Sequence, residues 1–194
     1  MNQDIAWEDL YQQGDTGWDR GEISPALTHW LESGLNKEQR VLIPGCGRGY
    51  EVIVLARLGF DVTALDIAPS AIESLKNALK KEDLHATLVC RDLFDYQTTT
   101  PFDVIYEQTC LCALPLELRS AYASHIKAWL KPQGIFYFSM MQTGEKEGPP
   151  FHCDWADMKR LFAAEDWLWQ EQAPLLIPRP KGKRFELAFR LIGR

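Results

Sequence analysis

The chain has 194 residues, 46% of them hydrophobic and 25% charged, which suits one globular domain with a core large enough to need neither disulfides nor metal. Its 21 basic and 27 acidic residues give a formal charge of −6, which argues against general nucleic-acid binding, because that requires a basic face to displace phosphate counterions. The longest apolar stretches, such as residues 135–141, are strand-sized and far short of a membrane span, so the expectation is a cytoplasmic protein with a small-molecule partner and neither nucleic acid nor membrane; the sequence leaves the oligomeric state open, with a monomer favoured.

Met1-Asn2-Gln3-Asp4 offers acid and amide where a secretory leader would carry basic and then apolar residues, in keeping with that expectation. Residues 1–34, which include Trp7 and Trp18, read as an extension ahead of an alternating α/β domain over residues 35–194. The first strand, 41–44, runs into Gly45-Cys46-Gly47-Arg48-Gly49-Tyr50, and the second, 62–66, ends on Asp66. Ser70-Ala71-Ile72-Glu73 is a capping box, and Ile72, Leu75 and Leu79 then give one apolar helical stripe. Residues 86–90 and 102–107 are the third and fourth strands, apolar as strands buried on both faces should be.

After Leu114-Pro115, a stripe of Leu118, Ala121, Tyr122, Ile126, Trp129 and Leu130 predicts a helix ended by Lys131-Pro132-Gln133-Gly134, and residues 135–141 form the fifth strand. Gly148-Pro149-Pro150 is a stiff turn, 154–162 a capped helix, and 167–172 with 185–192 a closing antiparallel hairpin. Strand and helix in repetition with short connections predict an α/β fold: a single domain built on a doubly wound, mostly parallel, seven-stranded sheet of Rossmann-like type.

The glycine turn and Asp66 are the most informative pair. A turn without side chains at the carboxyl end of a parallel strand brings bare backbone to a ligand, and a carboxylate closing the next strand can take two ribose hydroxyls. A dinucleotide fingerprint wants its third glycine where Tyr50 stands, which disfavours a nicotinamide oxidoreductase. The shorter Gly-x-Gly-x-Gly pattern suits a ligand with an amino-acid tail and no phosphate, namely S-adenosylmethionine (SAM), whose product is S-adenosylhomocysteine (SAH). The alternative is that the glycines merely make a tight strand-to-helix turn.

Cys46, Cys90, Cys110, Cys112 and Cys153 are odd in number and lie mostly in apolar runs, which reads as reduced core thiols. Cys110-Leu111-Cys112 and His152-Cys153 lack a second close ligand pair, so no metal is expected. His29, His85 and His125 fall outside the candidate pocket. The tail holds Arg179, Lys181, Lys183, Arg184, Arg190 and Arg194 against one acid, Glu186. It reads as a solvated loop and edge strand, with a positive rim that draws an anionic substrate as the alternative.

Trp7, Trp18-Asp19-Arg20-Gly21 with Pro25, the glycine turn, Leu65-Asp66-Ile67, Arg91-Asp92-Leu93-Phe94, Phe102-Asp103, Cys112-Ala113-Leu114-Pro115 with Arg119, Lys131-Pro132 and Gly148-Pro149-Pro150-Phe151 together resemble the thiopurine S-methyltransferase family over nearly the whole chain. Within it, the likeness is greatest to the thiol, thiocyanate and halide methyltransferases. The resemblance implies a class I SAM-dependent methyltransferase whose residues 1–34 fold over the cofactor as a lid. In that picture Trp7 and Trp18 cover the ligand, and Gly45, Cys46 and Gly47 approach its methionyl part. Asp66 and Ile67 take the ribose region, Asp92 and Leu93 flank the adenine, and Glu107 and Gln108 face the reaction centre.

Gln108 stands where the thiopurine enzymes carry arginine and the halide and thiocyanate enzymes usually carry tyrosine, which leaves the acceptor open. Trp7 and Trp18 could instead anchor the extension, Asp92 could cap a turn and Glu107 could end a strand.

The implied reaction is an in-line displacement on an excellent leaving group, so the protein's work is alignment and exclusion of water. A soft anion such as thiocyanate, hydrosulfide or a halide needs no base, and a thiol is partly ionised at neutral pH. Gln108 and His152 are the candidates for catalytic roles. A SAM-binding sensor or partner module without catalysis is the competing reading.

Overall fold

The computed structural model describes residues 6–180 and 183–194, so the reading of Met1 to Asp4 and the charge of Lys181 lie outside the described residues. Two helices, α1 (Trp7–Gln13) and α2 (Pro25–Glu32), precede the alternation of β1 (Arg40–Pro44), α3 (Tyr50–Arg57), β2 (Asp61–Asp66), α4 (Pro69–Lys81), β3 (Thr87–Cys90) and β4 (Phe102–Tyr106). There follow α5 (Arg119–Trp129), β5 (Leu130–Gln142), α6 (Trp155–Leu161), β6 (Trp167–Trp169), β7 (Leu175–Pro178) and β8 (Phe185–Gly193).

Parallel pairing joins β1 to β2, β2 to β3, β1 to β4 and β4 to β5, and β8 closes antiparallel on β5 from Ile135↔Ile192 to Gln142↔Phe185. The order β3-β2-β1-β4-β5-β8-β6 reverses direction between β1 and β4. In an open parallel sheet that reversal leaves a crevice beyond the carboxyl ends of the strands, where the two neighbouring connections diverge to opposite faces. Successive side chains of β1 show the layering: Val41 and Ile43 join the core beneath α2, α3 and α4, while Leu42 joins the core beneath α5 and α6.

The sheet has eight strands rather than the seven expected, yet occupies seven positions, because β6 and β7 share the outer edge of β8. The predicted strand over 167–172 stops at Trp169, where Gln170 turns its side chain to the backbone. Its Oε1 accepts from Arg190 N at 2.7 Å and its Nε2 donates to Gln172 O at 3.0 Å. The chain re-enters the edge as β7, which the sequence reading left out, and the closing hairpin is therefore β7–β8.

Two local expectations fail for physical reasons. The capping box at Ser70 does not form: Pro69, whose ring presets a helical φ and lacks an N–H, takes the first helical position, and the N-cap is Ala68 with no side-chain cap of its own. Leu130, placed at the end of the helical stripe, instead opens β5 opposite Phe102, and the register shifts before Val104↔Ile135. Pro132 cannot donate to the ladder, and Gln133 adopts a φ of 62°, so residues 131–134 bulge out.

The α5/α6 core is aromatic. Phe138 stacks on Phe136 at 5.0 Å between ring centroids and lies 5.2 Å from Phe162 and 5.9 Å from Phe189. Phe138→Ala should cost about 3–5 kcal/mol of stability, from lost burial plus an unfilled cavity. Urea unfolding monitored by circular dichroism checks this, and a loss under 1 kcal/mol would mean that the surrounding rings collapse into the space.

Candidate active site

The reversal between β1 and β4 is filled by the turn joining β1 to α3. Cys46 N donates to Leu65 O at 3.0 Å, Gly49 N to Cys46 O at 2.9 Å, and Gly47 N to the Asp66 carboxylate at 2.8 Å, so the turn is tied to the end of β2. Gly45 is compelled twice over. Its φ is 59°, and a Cβ there would lie 2.8 Å from Cys110 Sγ.

Above this floor lies a cavity of about 840 Å³, closed on one side by α1 and the segment after it. Trp7 and Trp18 meet edge to face at 5.2 Å, Tyr11 packs on Trp18 at 5.5 Å, and Trp18 Nε1 donates to Tyr11 OH at 3.4 Å. The three rings form one aromatic wall.

Trp7, Trp18, Gly45, Cys46, Gly47, Asp66, Ile67, Asp92, Leu93 and Gln108 all line the cavity. Asp66 is buried, and both its oxygens are anchored: Oδ2 accepts from Gly47 N and Oδ1 from Ala68 N at 2.9 Å. Burial pushes its carboxyl above the usual range, against those backbone donors. Asp92 Oδ1 accepts from Phe94 N at 2.8 Å, the turn-capping role left open above, and the residue still reaches the cavity.

Glu107 and His152 do not line it. Glu107, expected to face the reaction centre, is buried behind the wall. There it accepts from Cys110 N at 2.6 Å, Leu111 N at 2.8 Å and Ser139 N at 3.3 Å. It therefore holds the turn after β4 against β5. His152, a candidate for a catalytic role, accepts at Nδ1 from Thr143 N at 3.1 Å and Gly144 N at 3.2 Å, which commits that nitrogen to the backbone.

A charged cluster at the far end of the cavity went unread in the sequence. Glu186 is fully buried and accepts from Arg179 Nη1 at 3.0 Å, with Arg20 Nη1 at 3.7 Å. Gln108 Nε2 also donates to it, while Gln108 Oε1 accepts from Tyr106 OH at 3.3 Å. Arg179 further donates to Trp18 O at 2.5 Å, and Arg20 donates to Pro178 O at 3.2 Å. Arg20 Nε is buried and has no hydrogen-bond partner among the described residues.

The signal was present as the single acid in the basic tail, which is the counter-ion of the arginines around it. The tail itself divides: Arg179 and Arg184 line the cavity, and Arg184 pairs with Glu145 at 2.6 Å on the exposed rim. All five cysteines are free, and burial pushes the thiols of Cys46, Cys110 and Cys112 well up, so none offers a thiolate. Among the described residues no three His, Cys, Asp or Glu side chains gather as a metal site.

Residues 2–187 match the family model described as thiopurine S-methyltransferase. The chain is 30% identical over 184 residues to thiocyanate methyltransferase 1 of Arabidopsis thaliana, covering 91% of this chain and 80% of that one. It is also 30% identical over 182 residues to a thiopurine S-methyltransferase of Xanthomonas euvesicatoria, covering 84% and 82%. Among solved structures, the magnesium protoporphyrin IX methyltransferase of Synechocystis with bound SAM superposes with a TM-score of 0.74 at 16% identity, over 96% of this chain and 94% of that one. The 1,6-didemethyltoxoflavin-N1-methyltransferase of Burkholderia thailandensis does so with a TM-score of 0.76 at 20% identity, over 96% and 85%. At these identities the likeness is one of fold.

Burial pushes the Glu107 carboxyl up to about 7 from its ordinary 4.5. The folded chain thus holds a proton there that the unfolded chain has released, and stability falls as pH rises across that window. Wild type should lose about 1–3 kcal/mol more than Glu107→Gln between pH 5 and pH 7 in urea unfolding. Parallel pH profiles for the two proteins would show that Glu107 is ionised throughout.

Proposed function

Because the chain belongs to the thiopurine S-methyltransferase family and is a SAM-dependent methyltransferase, we propose that its acceptor is a small soft anion, sulfur above all: a thiolate, hydrosulfide or thiocyanate, with halide as the non-sulfur case. The observation that carries this reading is the pair of cavity-lining guanidiniums, Arg20 and Arg179, anchored on the buried carboxylate Glu186; a second buried carboxylate, Glu51, also lines the cavity near Arg20, and burial pushes its carboxyl up, toward the neutral form.

The residues present fit the cofactor. A cavity of about 840 Å³ lies within the usual range for small-molecule sites, and its floor is a glycine whose Cβ the neighbouring Cys110 would refuse. In this reading Gly45, Cys46 and Gly47 take the methionyl end, Asp66 with Ile67 the ribose and Asp92 with Leu93 the adenine. Each Asp66 oxygen is aimed by one backbone donor and retains acceptor capacity for a ribose hydroxyl. Trp7 and Trp18 offer ring faces, which attract a cation by about 0.5–2 kcal/mol. When bound, SAM supplies an activated methyl group on a sulfonium.

The remaining catalytic work is to hold the acceptor in line and dry. Glu186 can only accept, so the Gln108 amide is fixed with nitrogen toward it, and Tyr106 holds the oxygen. One Gln108 N–H stays uncommitted as a donor to an anionic nucleophile. With Glu51 pushed toward its neutral form, the two guanidiniums favour the thiolate form of a thiol acceptor, so no general base is required and His152 is given none of that role.

We take the chain to act as a cytoplasmic monomer without nucleic-acid or membrane partners. Its formal charge of −6 is in keeping with this, and no helix of the described residues is long and apolar enough to cross a membrane.

Asp66→Ala should weaken SAM binding by about 2–4 kcal/mol in calorimetry, through loss of a charge-assisted pair of hydrogen bonds. Unchanged affinity would remove the ribose assignment. Incubation with labelled SAM and a panel of thiols, hydrosulfide, thiocyanate and iodide should yield volatile or extractable methyl products, with anionic acceptors preferred over neutral amines and alcohols. Cofactor binding without transfer to any member of the panel would sink the acceptor assignment.

A further inference from the structure

The N-terminal helix α1 has no fully buried residue and is only seven residues long, too short to persist by its own propensity. Its place over the cavity must come from specific contacts. The chief one is made by Glu8, whose Oε2 accepts from Ser70 N at 2.9 Å and whose Oε1 accepts from Ser70 Oγ at 2.5 Å, across 62 residues of sequence. Gln12 Nε2 steadies the same carboxylate at 2.7 Å. The helix end so capped is that of α4, which has no side-chain cap of its own, and a carboxylate there meets both an orphan N–H and the positive end of the helix dipole.

We propose that Glu8 is a positioning residue for methyl transfer: by capping α4 from across the fold it holds α1, and with it Trp7 and Tyr11, closed over the cofactor, and thereby sets how fast SAM and SAH leave. The proposal rests on the cofactor assignment made above. Trp7, Leu10 and Tyr11 of α1 line the cavity, and Tyr11 OH would lie 2.9 Å from a Cβ at Gly47, so the helix is pressed against the glycine turn. The stretch from Asp66 to Ser70 links seat and cover. Asp66 Oδ1 fixes Ala68 N on the cavity side, and Ser70 receives Glu8 on the other. Glu8 is only partly buried, so the contact can break and re-form without stripping a charge of water.

The test uses the full chain. Wild type, Glu8→Ala, Glu8→Gln, Ser70→Ala and Ser70→Thr are loaded with SAH, and release is followed by stopped-flow displacement with excess SAM. Glu8→Ala and Ser70→Ala should each release SAH about tenfold faster, the size of a lost helix cap, and raise KM for SAM more than they lower kcat. The double variant should be no faster than either single one, because both remove the same contact. Glu8→Gln should fall between, and Ser70→Thr should stay near wild type. In the SAH complex, deuterium uptake over residues 7–13 should rise in the fast-releasing variants.

Should Glu8→Ala fail to fold, Glu8→Gln and Ser70→Ala carry the same comparison. Release and exchange equal to wild type in these variants would overturn the latch while leaving the cofactor assignment intact. Failure of wild type itself to bind SAH in calorimetry would overturn both.

Discussion

The site depends on a single buried carboxylate. Asp66 ends β2, and its two oxygens fasten two loops that would otherwise diverge, the glycine turn through Gly47 N and the start of α4 through Ala68 N. Desolvation raises its carboxyl above the usual range and the backbone donors oppose that rise, while each oxygen is aimed by one of them. Around it the parallel pairing of β1 with β2 and β4 opens the crevice, and the glycine turn lines it with backbone. The floor and the start of α4, on which the cover rests through Glu8, are both fastened to this carboxylate.

What the residues disclosed on their own were the local and strongly periodic parts. Strands buried on both faces announce themselves as apolar runs, and a left-handed turn announces itself as glycine, so the sheet, the turn and Asp66 were legible. The features that were not legible depend on partners distant in sequence. Ser70-Ala71-Ile72-Glu73 has the letters of a capping box, but Pro69 claims the first helical position and the capping carboxylate comes from Glu8. Glu107 and His152 have the right chemistry for a reaction centre, and their partners turn out to be backbone N–H groups, buried behind the wall for Glu107 and nearer the surface for His152. The tail charges read as a solvated loop and edge strand or as a positive rim, and nothing in their spacing tells that Glu186 gathers Arg179 and the distant Arg20 inside.

The Glu186 cluster also explains how one end of the chain knows where the other is. Arg20 comes from the N-terminal segment, Gln108 follows β4, and Arg179 follows β7, so three stretches far apart in sequence share one buried acid on β8. Burying such a group without partners costs several kcal/mol, which makes the arrangement specific: each cation must arrive for the carboxylate to be tolerated. Arg179 also donates to Trp18 O, which links this acid to the aromatic wall.

The divided outer lane of the sheet has a consequence for life at high concentration. A long, flat, unpaired strand is a template on which a second molecule can polymerise through main-chain hydrogen bonds. Here that margin is broken into Trp167–Trp169 and Leu175–Pro178, with Gln170 spending its amide on nearby backbone and Pro178 withholding a donor at the second segment's end. The opposite margin, Thr87–Cys90, is equally brief. Each border offers only a short stretch of ladder, so the interruption that spoils the regular strand pattern also shortens the template for edge-to-edge strand pairing.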